Sequence, residues 1–144
     1  MVGYADTSFL VSLYGQDANS ARAQRIGSAL EAPLAFTPLH RHEARNAFRL
    51  AVFRREITRS ECRAVFATID ADVRMGVLVE TPVAWAEVFQ AGEALSAGHT
   101  DTLGTRATDI LHVASACALG SKEFYTLDAK QAALARKAGL KVRP

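Results

Sequence analysis

Short apolar runs alternate with helical stretches along the whole chain, and this alternation limits the possible folds more than any other feature. Val2–Ala5, Leu34–Phe36, Val77–Glu80, Glu123–Leu127 and Leu140–Val142 each read as a brief strand. Apolar spacing between them predicts helices. The first covers Ser8–Tyr14 and stops at Gly15. Asp17 can cap the next, which runs to about Glu31 and is closed by Pro33. Thr37-Pro38 supplies the N-cap and first residue of a long helix over about 38–55, with Ala44, Ala47, Phe48, Ala51 and Val52 as its apolar stripe. Thr58 and Glu61 stand at capping-box spacing for a helix that ends near Met75-Gly76. Thr81-Pro82 opens a helix to about Ser96, "AGHTDTLGT" reads as a loop, and Thr105 or Arg106 begins a helix that ends at Gly120. Asp128, with Gln131 completing a capping box, starts the last helix; it runs through Ala138 and stops at Gly139. Such a pattern builds an α/β domain around a mostly parallel sheet.

The 144 residues make one domain, 1–144, with no repeat, low-complexity stretch or linker. An apolar fraction of 49% and a charged fraction of 22% suit a soluble globular protein. Asp6 interrupts the first apolar run and no basic segment precedes it, which argues against a signal peptide. No stretch approaches the ~20 apolar residues of a membrane span. Cys62 and Cys117 lie far apart, outside any metal spacing, so a reducing, cytoplasmic setting is expected. Cys117, within "ASACAL", reads as a small core residue. The net charge of +2 says little, but its distribution says more. Arg41, Arg45, Arg49, Arg54, Arg55, Arg59 and Arg63 share one 23-residue segment. This run reads as a solvated helix face; it is also what a phosphate backbone would use.

Four carboxylates stand in suggestive places. Ligands of open α/β sheets gather beyond the carboxyl ends of the strands. Asp6 ends "VGYAD" and Asp128 ends "FYTLD". Either can be a helix cap, and the cap does not exclude a site. Asp109 opens the apolar helix "RATDILHVASACAL", where a carboxylate needs a partner. The helix N-terminus helps, and either Arg106 or a cation would serve. Glu43, in "TPLHRHEARNAF", reads alone as a surface glutamate paired with an arginine neighbour. The same segment begins like a zinc-protease H-E-x-x-H, but Asn46 stands where the second histidine is required. His40 and His42 point to different sides of their helix, and His112 reads as a core histidine.

Together, "ADTSFLVSLY", "HRHEARNAF", "RATDILHVASACALG" and "FYTLDAKQAALARKAGLKV" resemble the PIN-domain family, and most closely its VapC-type toxins. The resemblance covers essentially the whole chain. It implies a PIN-like three-layer α/β/α domain with a central, mostly parallel sheet of four or five strands. It also implies one acidic pocket formed by the positions of Asp6, Glu43, Asp109 and Asp128, supported by Thr7 or Ser8 and by Thr126. Asp101 is a further acid that the pattern does not place. The implied cofactor is Mg²⁺ or Mn²⁺, as one ion or two, which suits hard oxygen ligands. The implied activity is cleavage of single-stranded or loop RNA through a metal-activated water. Arg41, Arg45 and Arg49 are candidates for guiding that RNA. A VapB-like antitoxin and a homodimer are the implied partners.

Other readings fit less well. A catalytically silent PIN-like module that binds RNA or protein would have no need of four acids. A receiver domain needs paired acids after its first strand and a central phosphoacceptor Asp. A phosphatase of the haloacid dehalogenase type needs D-x-D, where this chain has "DTS". The plainest alternative is an α/β domain whose acids are all caps.

Overall fold

The computed structural model describes residues 2–143. In chain order its elements are β1 (Tyr4–Ala5), α1 (Thr7–Tyr14), α2 (Ser20–Ser28), β2 (Leu34–Phe36), α3 (Pro38–Phe53), α4 (Arg59–Arg74), β3 (Leu78–Glu80), α5 (Trp85–Leu103), α6 (Ala107–Ala118), β4 (Glu123–Tyr125), α7 (Ala129–Lys137) and β5 (Lys141–Arg143). They fall into two compact units, Met1–Asp6 with Pro82–Pro144, and Thr7–Thr81.

The first unit holds a three-stranded parallel sheet in the order β1-β4-β5. Tyr4 stands opposite Phe124 and Ala5 opposite Tyr125, while Phe124 pairs on its other side with Val142. A central parallel strand is covered on both faces, and Phe124, at the middle of β4, is fully buried. The Tyr4 and Phe124 rings stack with centroids 5.7 Å apart. Helix α6 presents Ile110, Val113, Ala114 and Ala116 to the core and packs against α5. His112 is buried too, with its Nδ1 2.8 Å from the Tyr4 hydroxyl. It is a core histidine, as its apolar helix suggests.

The second unit holds the parallel pair β2-β3, with Leu34, Ala35 and Phe36 opposite Leu78, Val79 and Glu80. Two helices start where the sequence places their caps. The Thr37 side chain accepts from His40 N–H, and the Thr37 N–H donates to His40 Nδ1. Thr58 and Glu61 make the same reciprocal pair at the start of α4. Helices α3 and α4 then meet through Phe48 and Phe66, edge to face with centroids 6.4 Å apart.

Among the described residues five strands form, as expected, all paired in parallel, in ladders of three and two. Several other expectations need correction. Asp17 does not cap α2. Its carboxylate accepts from the Asn19 N–H and from the Ser12 hydroxyl, which closes the preceding turn. The helix after β3 begins at Trp85, because Thr81 is still tied to the sheet through Phe36 O. The stretch "AGHTDTLGT" is mostly helical, since α5 continues to Leu103. The helix continues despite the weak helix propensity of its Gly and Thr residues. The Thr100 hydroxyl turns back onto Ser96 and the Thr102 hydroxyl onto His99 O. Gly104, at φ +66°, provides the stop. Asp101 therefore lies on a helix, exposed. Cys117 is exposed rather than a core residue, although partial burial raises its thiol pKa. Among the described residues no helix is long and apolar enough to cross a membrane.

One local charge pair has a defined pH signature. The Tyr125 hydroxyl donates to Glu123 Oε2 at 2.8 Å and Arg143 donates to Oε1 at 2.9 Å, which holds the Glu123 carboxyl below its ordinary value of 4.5. A depressed carboxyl adds stability above its unfolded pKa and loses it as pH falls through the folded one. Tyr125→Phe is therefore expected to be less stable than wild type at neutral pH. The gap should narrow in acid below 4.5, as read by urea unfolding at both pH values.

Candidate active site

The pairing of β1 with β4 carries the chain to the site. Asp6 N–H donates to Tyr125 O at 3.1 Å, which extends the ladder one step past the last strand residues. Asp6 and Thr126 thus emerge side by side at the carboxyl ends of two parallel strands, both buried. The Thr126 hydroxyl donates to Asp6 Oδ2 at 2.5 Å and accepts from the Asp128 N–H at 3.1 Å. Asp128 Oδ1 in turn accepts from the Gln131 N–H at 2.9 Å, the N-cap bond of α7. Gln131 Nε2 then donates to the main-chain oxygen of Asp109 at 3.0 Å. One chain of hydrogen bonds therefore runs Asp6–Thr126–Asp128–Gln131–Asp109, and it links three of the four acids that the sequence singles out.

Asp109 and Asp128 line a common cavity of ≈ 420 Å³, together with Thr105, Arg106, Lys130 and Gln131. Asp109 sits in the first turn of α6, where the helix dipole favours an anion. Of the two partners its position suggests, the structure provides the guanidinium: Arg106 Nε lies 3.2 Å from Oδ2. The Arg106 side chain is 83% exposed, so this pair is weak.

Glu43 belongs to the Thr7–Thr81 unit. It is half-buried on α3 and accepts from the Thr7 hydroxyl at 2.8 Å. Thr7 follows Asp6 directly in the chain and is buried, whereas Ser8 is exposed. Arg41 and Arg45 reach Asp70 at 4.0 and 3.3 Å. The guanidinium groups of Arg45 and Arg49 lie 4.7 and 5.1 Å from the centre of the Phe66 ring. The candidate RNA-guiding arginines therefore form an ordered array with partners of their own.

Among the described residues no group of three or more His, Cys, Asp or Glu side chains stands ready-made as a metal cage. The cavity nevertheless fits the implied ion. Its carboxylate donors are hard oxygens, and Mg²⁺ commonly takes one or two carboxylates and completes its shell with water and phosphate. No thiol or imidazole, the softer donors, lines it.

Sequence reasoning missed the position of Gln131. Gln131 does not close a capping box with Asp128, because the Thr126 hydroxyl already takes the Asp128 N–H. The glutamine side chain turns to α6 instead. The usable signal was the threonine two residues before the capping aspartate.

A parallel-stranded α/β chain with acids at its strand ends is the class these observations define. No protein-family model and no curated protein matches the chain. Solved structures do. VapC20 of Mycobacterium tuberculosis, described as a sarcin–ricin loop cleaving toxin, matches with a TM-score of 0.69 at 23% identity, over 98% of each chain. VapBC2 of Rickettsia felis, solved bound to a DNA fragment from its promoter, matches with a TM-score of 0.66 at 12% identity, over 99% of this chain and 98% of that one. At these identities the likeness establishes the fold. It is the PIN-like α/β fold that the motifs led us to expect.

Thr126→Val keeps the side-chain shape but removes both bonds of the hydroxyl at a buried position. It is expected to cost about 1–3 kcal/mol in urea unfolding, with Thr126→Ser recovering most of the loss. Equal midpoints for the valine variant and wild type would show that the hydroxyl does not bind these groups together.

Proposed function

We propose that the chain is a divalent-metal-dependent endoribonuclease, the toxin of a VapBC-type toxin–antitoxin pair. The observation that carries this reading is the hydrogen-bonded chain joining Asp6, Asp128 and Asp109 at the ends of parallel strands. A set of helix caps has no need to be joined in this way. The fold shared with VapC20, described as a loop-cleaving toxin, and with VapBC2 supports the class.

In this reading Asp6, Asp109 and Asp128 hold Mg²⁺ or Mn²⁺, and Glu43 is the fourth acid that the resemblance implies. The ion supplies Lewis acidity and an activated water for hydrolysis of an RNA phosphodiester. Thr126 holds Asp6 in one orientation, and the α7 cap does the same for Asp128. Arg106 neutralises Asp109 until a cation displaces it. A VapB-like antitoxin, a homodimeric state and a cytoplasmic setting complete the proposal.

The alternative is a catalytically silent PIN-like module that binds RNA or protein. The Arg106–Asp109 pair and the lack of a ready-made cage among the described residues are what favour it. Titration of Mn²⁺ by calorimetry, with cleavage of loop-containing RNA followed in parallel, separates the two readings. Asp6→Asn and Asp109→Asn are expected to abolish Mn²⁺ binding. They should also slow cleavage by more than about 100-fold, the upper range for disturbing a residue that only supports a metal ligand. Undiminished binding and cleavage in both variants would refute the metal site.

RNA binding should also depend on salt. The formal net charge is +2, so setting four site carboxylates apart leaves +6 on the remaining chain. Affinity is expected to fall as salt rises, with a slope that reports the number of phosphates neutralised; a flat response would count against guidance by the arginines.

A further inference from the structure

Gln131 is placed as no helix cap requires. It occupies the first turn of α7 beside the acidic cavity, yet its side chain is only 2% exposed. The two ends of its amide are in different situations. Nε2 donates to Asp109 O at 3.0 Å, and this bond fixes which end is nitrogen. Oε1 is buried with no hydrogen-bond partner. A buried amide oxygen without a donor is destabilising, and in a native fold such an atom calls for a reason. An apolar side chain of similar length would fill the same volume without that penalty.

The neighbours of the orphaned oxygen indicate its donor. The Gln131 main-chain N–H holds the carboxylate of Asp128, and its side chain holds the main chain of Asp109. One residue thus grips both acid-bearing segments of the cavity. The cavity that Gln131 lines also carries both carboxylates, and the hydration shell of a divalent ion bound there would supply polarised O–H donors. Groups that hydrogen-bond to ligands and to coordinated water orient a metal site and tune its affinity.

We infer that Gln131 is a positioning residue of the metal site. It sets the spacing of Asp109 and Asp128, and its Oε1 accepts a hydrogen bond from the hydration shell of the ion. This inference rests on the metal-dependent reading above.

The test titrates Mn²⁺ alone, by calorimetry, into wild type, Gln131→Met, Gln131→Glu and Asp128→Asn, with thermal unfolding of each metal-free protein alongside. Gln131→Met is expected to keep its metal-free Tm, because losing one hydrogen bond is offset by removing the orphaned oxygen. Its Mn²⁺ affinity should fall about 10–100-fold. Gln131→Glu keeps an acceptor at that position but loses the Nε2 bond to Asp109 O, so it should still bind Mn²⁺, and more tightly than the methionine variant. A structural role alone would instead lower the metal-free Tm and leave the affinity unchanged. Wild-type affinity in the methionine variant would overturn the inference about Gln131 and leave the metal site standing. Complete loss of Mn²⁺ binding in a folded glutamate variant would overturn it even if the methionine variant failed to fold, because that side chain keeps the acceptor. No Mn²⁺ binding by wild type would overturn the metal-dependent reading, and this inference with it.

Discussion

The site depends on the register of β1 against β4. Tyr4 faces Phe124 and Ala5 faces Tyr125, so the next residues out, Asp6 and Thr126, are brought together by the ladder itself. A slip of one residue would send Asp6 to the opposite face of the sheet, because side chains alternate along a strand. The register is fixed by burial. Tyr4 and Phe124 are fully buried, and each would lose its place in the core on such a slip. Packing of two aromatic rings thus determines where a carboxylate emerges.

A hydroxyl suits the position beside Asp6 because it can donate and accept at once. Thr126 donates to one carboxylate and accepts from the main chain of the residue that bears another. A lysine there would neutralise Asp6, and an alanine would leave the Asp128 N–H to find another acceptor. The same economy holds at α7. Asp128 serves as N-cap through Oδ1 alone, which leaves its second oxygen out of the cap bond. Asp109 is engaged through its main-chain oxygen by Gln131 and through Oδ2 by an exposed arginine. At Asp128 and Asp109 the backbone and amide bonds fix position without bringing charge, and the hold of Arg106 on Asp109 is weak because it lies in water.

What could be read from the sequence was local. Thr37-Pro38, Thr58 with Glu61, and Asp128 signal helix starts through bonds spanning three residues, and all three form. The strand-end aspartates are legible for the same reason, since each lies one step beyond a short apolar run. Features set by distant partners were not legible. The "AGHTDTLGT" segment has the composition of a loop, yet α5 runs on through it to Leu103. The division of five strands into two ladders depends on which main-chain groups meet, and side-chain patterning does not encode that. Gln131 was read as a cap because its spacing to Asp128 allows one; its actual acceptor, Asp109 O, lies 22 residues away.

The arginine face shows how pairing and function can coexist. Arg41 and Arg45 approach Asp70, and the guanidinium groups of Arg45 and Arg49 lie over Phe66. Attraction of a polyanion depends on the summed field, and that field is unchanged when a cation stacks on a neutral ring. Stacking on Phe66 holds two positive charges in place along one helix at a smaller entropy cost on binding. Asp70 is shared by two of these arginines, so it offsets them once. A polyanion meeting this face would find guanidinium groups whose positions are shared between a carboxylate and an aromatic ring.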